Sequence, residues 1–565
     1  MLRFAVFDDD GPAATWILRH AHIIGQDGVP AQADIRFENG LIICQPVSPD
    51  ACGLCMQYPI ASVRDGEVLE GEDHLFGHVS LCTSILPDRD EPYLLSLELA
   101  RGRIRTFLNK IEDWDLFDLC DDDPIMTLFE SARKTFTQAL VAQRKSGGQD
   151  PSPLKADRLA RDALALAVEA GEQLALRKAR ELTPARLSGE LYAAAVERYS
   201  SSSMSDGSKP TGPVKTQDNN GVVLPGKPLM GCTVNPAMAS MEFQSAVAEA
   251  ADFVRIPMSW VDMEPEEGKY SFTKTDRWIE WAVRKANVPL VGGPVIDFRS
   301  TSIPDWLYIW ENDYETMRDL VYEHIRHIIT RYRRTVRSWV IVSGMAANDG
   351  INFGLEQIMD LTRICVLATR KLHPAAKVYV EISRPWAEYH ASSRRSLPPL
   401  LYAEMIQQAG IPIDGLALRL QMGDPQSGQV TRDLMSISDL LDRYARLGFP
   451  ITVTAMGVPS KPPERDTIGI DGEHDPGFWR EPWSEQVQAD WLRQAMAIAA
   501  SKPFVGAVCW QALFDSQAPS DMHCGGLIGE DGVPKPALQA LKEVRQAIRA
   551  GRSPLDESVG VSGAL

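Results

Sequence analysis

Trp339-Val340-Ile341-Val342 is a run of large apolar side chains closed by the small pair Ser343-Gly344. It is too short for a helix and too continuous for a half-exposed strand, so it fits a parallel strand buried on both faces. Similar runs recur at Leu290-Val291, Lys377 to Val380, Leu416 to Leu420, Ile451 to Val453 and Phe504 to Trp510. Amphipathic stretches of helical period lie between them, among them Met317 to Tyr332, Gln357 to Leu372 and Ser484 to Ser501. Strand-helix alternation sustained over about 250 residues is what a closed eight-stranded parallel barrel requires. It predicts an α/β chain with a (β/α)8 TIM barrel over residues 227–550.

The same segments resemble family 10 glycoside hydrolases, in the family's order. Leu229-Met230-Gly231-Cys232-Thr233-Val234 is similar to the family's first barrel strand. Phe253-Val254-Arg255-Ile256-Pro257-Met258-Ser259-Trp260 and Met263-Glu264-Pro265-Glu266-Glu267-Gly268-Lys269-Tyr270-Ser271-Phe272 resemble the second strand and its Glu-Pro-x-x-Gly loop, the most specific match. Arg331-Tyr332 to Val336 leads into Trp339 with the family's spacing. Val508-Cys509-Trp510 to Asp515, and Gly526-Leu527-Ile528 to Ala537, resemble the eighth strand and the closing loop and helix.

The resemblance implies a xylan-directed retaining hydrolase of the endo-1,4-β-xylanase type, but its catalytic positions depart from the pattern. Retaining glycosidases use two carboxyl groups roughly 5 Å apart, one as nucleophile and one as acid and then base. The family's Trp-Asp-Val-Val-Asn-Glu strand ends here in Ser343-Gly344, and its Thr-Glu-x-Asp strand reads Thr454-Ala455-Met456-Gly457. Both glutamates are therefore replaced, by Gly344 and Ala455. The supporting Gln and His of strand six correspond to Arg419 and Gln421, and the sugar-binding Asn and Lys of strand two to Ile256 and Ser259. The sugar-contacting tryptophan of strand eight remains as Trp510. Asp297, Glu381 and Asp515 also fall at strand ends, where they are either substitute catalytic carboxylates or ion-pair partners of Arg255, Arg299, Arg384 or Arg419. Glu381, at the end of strand five, is the candidate to point into the cleft.

Trp306, Trp310, Trp386, Trp479, Trp483 and Trp510 fall in or near expected βα loops. Flat rings there stack on sugars or simply pack. Trp479 and Trp483, in a Gly- and Pro-rich stretch after strand seven, are expected to line a ligand groove with Trp510, Ser343, Gln421 and Arg419. Three functional readings stay open. The first is a noncatalytic or atypical polysaccharide-binding protein taking a xylan-type glycan or another small polar ligand. The second is an O-glycosyl hydrolase using Glu381 and a partner carboxylate, and the third is a scaffold for assembly.

Ahead of the barrel, residues 1–115 are expected to be β-rich, with strands at Thr15 to Ile23, Ala33 to Phe37, Leu41 to Gln45 and Val79 to Leu86. This part is either a β-sandwich of the carbohydrate-binding-module kind or scaffold packed on the barrel. Helical period runs from Tyr93 to Trp114, Pro124 to Arg144 and Pro153 to Tyr199, giving a helical segment over 116–199. Residues 200–226, rich in Ser, Gly, Pro and Asn, read as a linker or mobile loop, and 551–565 as a disordered tail.

A formal charge of -18 argues against nucleic acid, whose phosphates call for a basic face. No run approaches the roughly 18 apolar residues of a membrane span. Asp8-Asp9-Asp10 so soon after Met1 does not resemble a secretory signal, so a cytoplasmic location is expected. Of the nine cysteines, Cys44, Cys52, Cys55 and Cys82 could hold zinc, but only one Cys-x-x-Cys is present. Free buried thiols are expected, with no metal and no cofactor.

Overall fold

The computed structural model describes the whole chain except residues 49, 70, 72–73, 121, 145–151, 203–211, 217–220, 394, 426–427, 470–471, 517–521 and 557–565. The expected linker at 200–226 therefore lies partly, and the expected tail at 551–565 largely, outside the described residues. Within the linker, Val214–Lys215 pairs antiparallel with Val222–Val223.

Among the described residues, eight parallel strands close into a barrel: Leu229–Thr233, Phe253–Ile256, Leu290–Gly292, Ser338–Ser343, Lys377–Ile382, Gly415–Gln421, Ile451–Gly457 and Val505–Trp510. Closure comes from the eighth strand pairing with the first, Trp510 opposite Cys232. The third strand resumes at Ile296–Asp297 and again pairs with the fourth, Asp297 opposite Ser343. An outer ring of helices follows the strands: Met241–Ala250, Thr273–Trp281, Tyr314–Tyr332, Leu355–Leu372, Pro399–Gln408, Leu434–Ala445, Glu485–Ser501 and Pro536–Ala550. The third of these starts earlier than its apolar period suggests, because the Asp313 carboxylate accepts the Thr316 amide at 3.1 Å and caps the first turn.

The N-terminal region holds two four-stranded sheets and a set of helices. Of the expected strand Thr15 to Ile23, only His22–Ile24 forms, and two unforeseen strands, Leu2–Ala5 and Gly53–Ala61, sit inside the sheets. Helix Leu95–Asp113 falls within the 1–115 span expected to be β-rich, where the helical period from Tyr93 to Trp114 predicts it. The long helical stretch from Pro153 breaks at Gly189, whose φ of 86° ends Pro153–Ser188 before Glu190–Ser202 begins. One cysteine expectation is overturned. Cys55 and Cys82 face each other on the paired strands Gly53–Ala61 and Leu75–Cys82, with Cα atoms 4.0 Å apart, and are joined in a disulfide.

This region is fused to one flank of the barrel. Helix Pro153–Ser188 packs on the sixth and seventh barrel helices, approaching closely at Gly171, where an added Cβ would come 3.7 Å from Met435. Charged groups fix the register: Arg103 pairs with Asp433, and Lys110 lies 2.8 Å from Asp439. Among the described residues no helix is long and apolar enough to cross a membrane.

Candidate functional site

The C-terminal ends of the strands converge on Glu381, which is 2% exposed. Its Oε2 lies 3.1 Å from Nη2 of Arg255, on strand two, and accepts the Thr454 hydroxyl at 2.5 Å. Its Oε1 accepts the Ser343 hydroxyl at 2.9 Å and lies 3.6 Å from Nη1 of Arg419. Strands two and five are not neighbours in the sheet, so the pair with Arg255 crosses the barrel interior. Burial pushes the Glu381 carboxyl up, but Arg255, Arg419, the Thr454 hydroxyl and Arg299 together hold it below the usual carboxylate range.

The rest of the mouth is equally engaged. Asp297 is gripped by the Arg299 guanidinium and accepts the Ser302 hydroxyl at 2.8 Å. Burial raises its pKa, and the charge and hydrogen bonds of Arg299 more than reverse this. Arg419 donates to Gln421 Oε1 at 2.7 Å, and Arg255 donates to Gln511 Oε1 at 3.2 Å. Burial first, and the neighbouring Arg299 second, bring Arg419 down to about 10. Asp515 pairs at 2.6 Å with Lys535, a partner outside the four arginines singled out from the sequence, and Arg384 pairs with Asp349 at 2.8 Å instead of with Glu381.

Ser343 ends strand four, and Gly344 follows it with a φ of +75°. A Cβ added at Gly344 would come 2.9 Å from the Arg299 backbone nitrogen and 3.0 Å from Asp297 Oδ1. Ala455, fully buried, is in register with Arg419 on the adjacent strand. Ile256 is buried too, and the Ser259 hydroxyl is taken by Asp262.

The tryptophans depart from expectation. Trp479, Trp483 and Trp510 are at most 3% exposed, so none offers a sugar an open ring face. The Trp479 indole donates to Glu172 at 2.7 Å, on the N-terminal helix Pro153–Ser188, while Trp483 donates to the Gly477 carbonyl and Trp510 to that of Gly525. The loop after strand seven is thus held beneath the N-terminal region, where Trp479 bridges to Gly77. Trp306 donates to the Glu264 carbonyl, and Trp386 lies under the Arg432 guanidinium. Glu264 is a structural hub, accepting the Trp260 indole at 2.9 Å and meeting His324 at 3.0 Å. Thr454, Ser302 and Lys535 carry no site signal in the sequence, since a hydroxyl or lysine has none until its partner is placed. Among the described residues no three His, Cys, Asp or Glu side chains gather as a metal site.

Comparison with known proteins agrees with this architecture. The family model described as "Glycosyl hydrolase family 10" matches residues 220–544, more than half of the chain. An endo-1,4-beta-xylanase of Agaricus bisporus is 24% identical over 304 residues, covering 52% of this chain and 83% of the relative. Endo-1,4-beta-xylanase B of Thermotoga neapolitana is 23% identical over 296 residues, covering 51% and 78%. Among solved structures, xylanase B from Clostridium stercorarium F9 aligns with a TM-score of 0.43 at 18% identity, over 56% of this chain and 96% of that one.

Proposed function

Because the chain belongs to glycosyl hydrolase family 10, and the mouth of its barrel is filled by its own ion pairs, we propose that it is a noncatalytic member of the family. Its barrel serves for binding, with a xylan-type glycan as the ligand class. The observation that carries this reading is the state of Glu381. A general acid must hold its proton near neutral pH and a nucleophile must reach the sugar, whereas Glu381 is buried, anionic and bound by two hydroxyls and two guanidinium groups. Gly344 and Ala455, in the segments that resemble the family's catalytic strands, supply no carboxylate. General acid/base assistance is worth about 10²- to 10⁴-fold, and without a nucleophile the covalent route is closed.

The test is an assay of the purified protein on xylan and aryl xylosides. No product above the buffer blank is expected, and turnover with retained configuration, abolished by Glu381→Gln, would overturn the proposal. Calorimetry with xylo- and cello-oligosaccharides should detect millimolar to micromolar binding. The buried faces of Trp479, Trp483 and Trp510 favour a second reading, an assembly scaffold, to which silence across those oligosaccharides would lead.

A further inference from the structure

Away from the barrel mouth, a cavity of about 470 Å³ lies between the sheet that carries the disulfide and the sixth barrel helix, Leu434–Ala445. Its size falls within the roughly 300–1,000 Å³ of small-molecule sites. Arg105, Arg443, His22 and Trp386 are part of its wall.

The charges of this wall do not balance locally. Of its carboxylates, Glu388 is paired with Arg432 and Asp439 lies 2.8 Å from the Lys110 ammonium, while Asp27 keeps its charge, accepting the neutral Val29 amide at 3.0 Å. Arg105 and Arg443 have neither an ion pair nor a hydrogen bond among the described residues. Gly28 lies beside Arg443, since a Cβ there would come 3.8 Å from Nη2 of Arg443. In a chain of net charge -18, two guanidinium groups without ion pairs against one such carboxylate leave this wall net positive, which favours an anion.

A second group specifies what else the ligand carries. Nδ1 of His22 lies 3.0 Å from the His20 carbonyl oxygen, so it bears the proton and donates it there. Nε2 is left as an acceptor with no hydrogen-bond partner among the described residues. Burial lowers the His22 pKa, against a smaller opposing pull from Glu388, which keeps the ring neutral and Nε2 able to accept a hydroxyl. Trp386, with the Arg432 guanidinium 4.2 Å from its ring centre, adds an aromatic wall.

We propose that this cavity binds a small polyhydroxylated anion, a sugar acid or a sugar phosphate, with the anionic group met by Arg105 and Arg443 and a ligand hydroxyl donating to Nε2 of His22. The site shares no residue with the barrel mouth, so failure of the glycan reading leaves it standing.

Calorimetry on the full chain tests it, with glucuronate and glucose 6-phosphate as probes, glucose as the neutral control and inorganic phosphate as the bare anion. At least one sugar anion should bind roughly tenfold or more tightly than glucose, and Arg105→Gln and Arg443→Gln should each weaken it by a similar factor. Neither variant should move the thermal midpoint, because neither arginine has a partner to lose. Whichever sugar anion binds identifies the group as carboxylate or phosphate. Binding no tighter than glucose, or unchanged affinity in both variants, would overturn the proposal. Inorganic phosphate binding as tightly as glucose 6-phosphate, with glucuronate silent, would also overturn it, since the hydroxyls would then contribute nothing.

Discussion

Glu381 and Arg255 meet at 3.1 Å across the interior of the barrel, with side chains 0% and 1% exposed. Two charges withdrawn so far from water depend on one another. Breaking a buried pair by removing one partner typically costs about 3–5 kcal/mol, because the remaining charge stays buried and uncompensated. Glu381→Gln should therefore lower unfolding stability by about that amount in urea titration. A loss under about 1 kcal/mol would mean that Arg255 finds another partner or water.

Placing carboxylates at Gly344 and Ala455 should not produce hydrolysis. Gly344 has a φ of +75°, and a Cβ there would come 2.9 Å from the Arg299 backbone nitrogen. A non-glycine residue in that conformation costs about 1–2 kcal/mol before any contact is counted. Gly344→Glu with Ala455→Glu should lose stability and stay silent on aryl xylosides. Strong turnover by the double variant would show that the mouth opens more readily than its packing implies.

Acid should unfold the protein by way of the mouth. Glu381 and Asp297 both titrate below their ordinary values of 4.5 and 3.8 in the fold. Each therefore stabilises the fold fully above its unfolded value, and the stability is lost as pH falls through the lower, folded value. The contribution of these two carboxylates should be flat from neutral pH to about 5 and fall below about 4. Denaturation followed against pH should give a shallower acid limb in Glu381→Gln, and an unchanged limb would assign acid sensitivity elsewhere.

The Cys55–Cys82 bridge spans a sequence separation of 27 residues. Constraint of a loop that size is worth about 3.5 kcal/mol in the chain-entropy view. Reduction, or Cys55→Ser with Cys82→Ser, should lower the thermal midpoint while the barrel's circular dichroism signal is retained at 25 °C. Equal midpoints with and without reductant would show that the two strands hold their register unaided.

The barrel was readable in the sequence because a strand buried on both faces must be apolar throughout, as Val340, Ile341 and Val342 are. Its polar centre was readable only by residue. Glu381 stood out as a strand-end carboxylate, but its partner Arg255 is 126 positions away on a strand across the barrel, and no local pattern encodes that meeting. The tryptophans mislead for a similar reason. A Gly- and Pro-rich loop bearing Trp479 and Trp483 reads as a groove rim, and nothing nearby reveals that Glu172, 307 positions earlier, caps the Trp479 indole. The strand Gly53–Ala61 was hidden by its own composition, since Pro59 interrupts it and the Cys52/Cys55 spacing invites a metal reading.

Glu172 sits on the N-terminal helix, yet its carboxylate accepts the Trp479 indole, the Leu434 amide that opens the sixth barrel helix, and the Arg480 guanidinium. The loop after strand seven and the start of the sixth helix thus end on one side chain supplied from outside the barrel. A shortened protein starting at residue 227, cut where the composition suggests a seam, would expose that indole, amide and guanidinium at once, along with the flank of the two helices on which Pro153–Ser188 packs. Such a fragment should be recovered as aggregate, and the first two hundred residues are better regarded as the missing wall of the barrel than as an accessory attached to it.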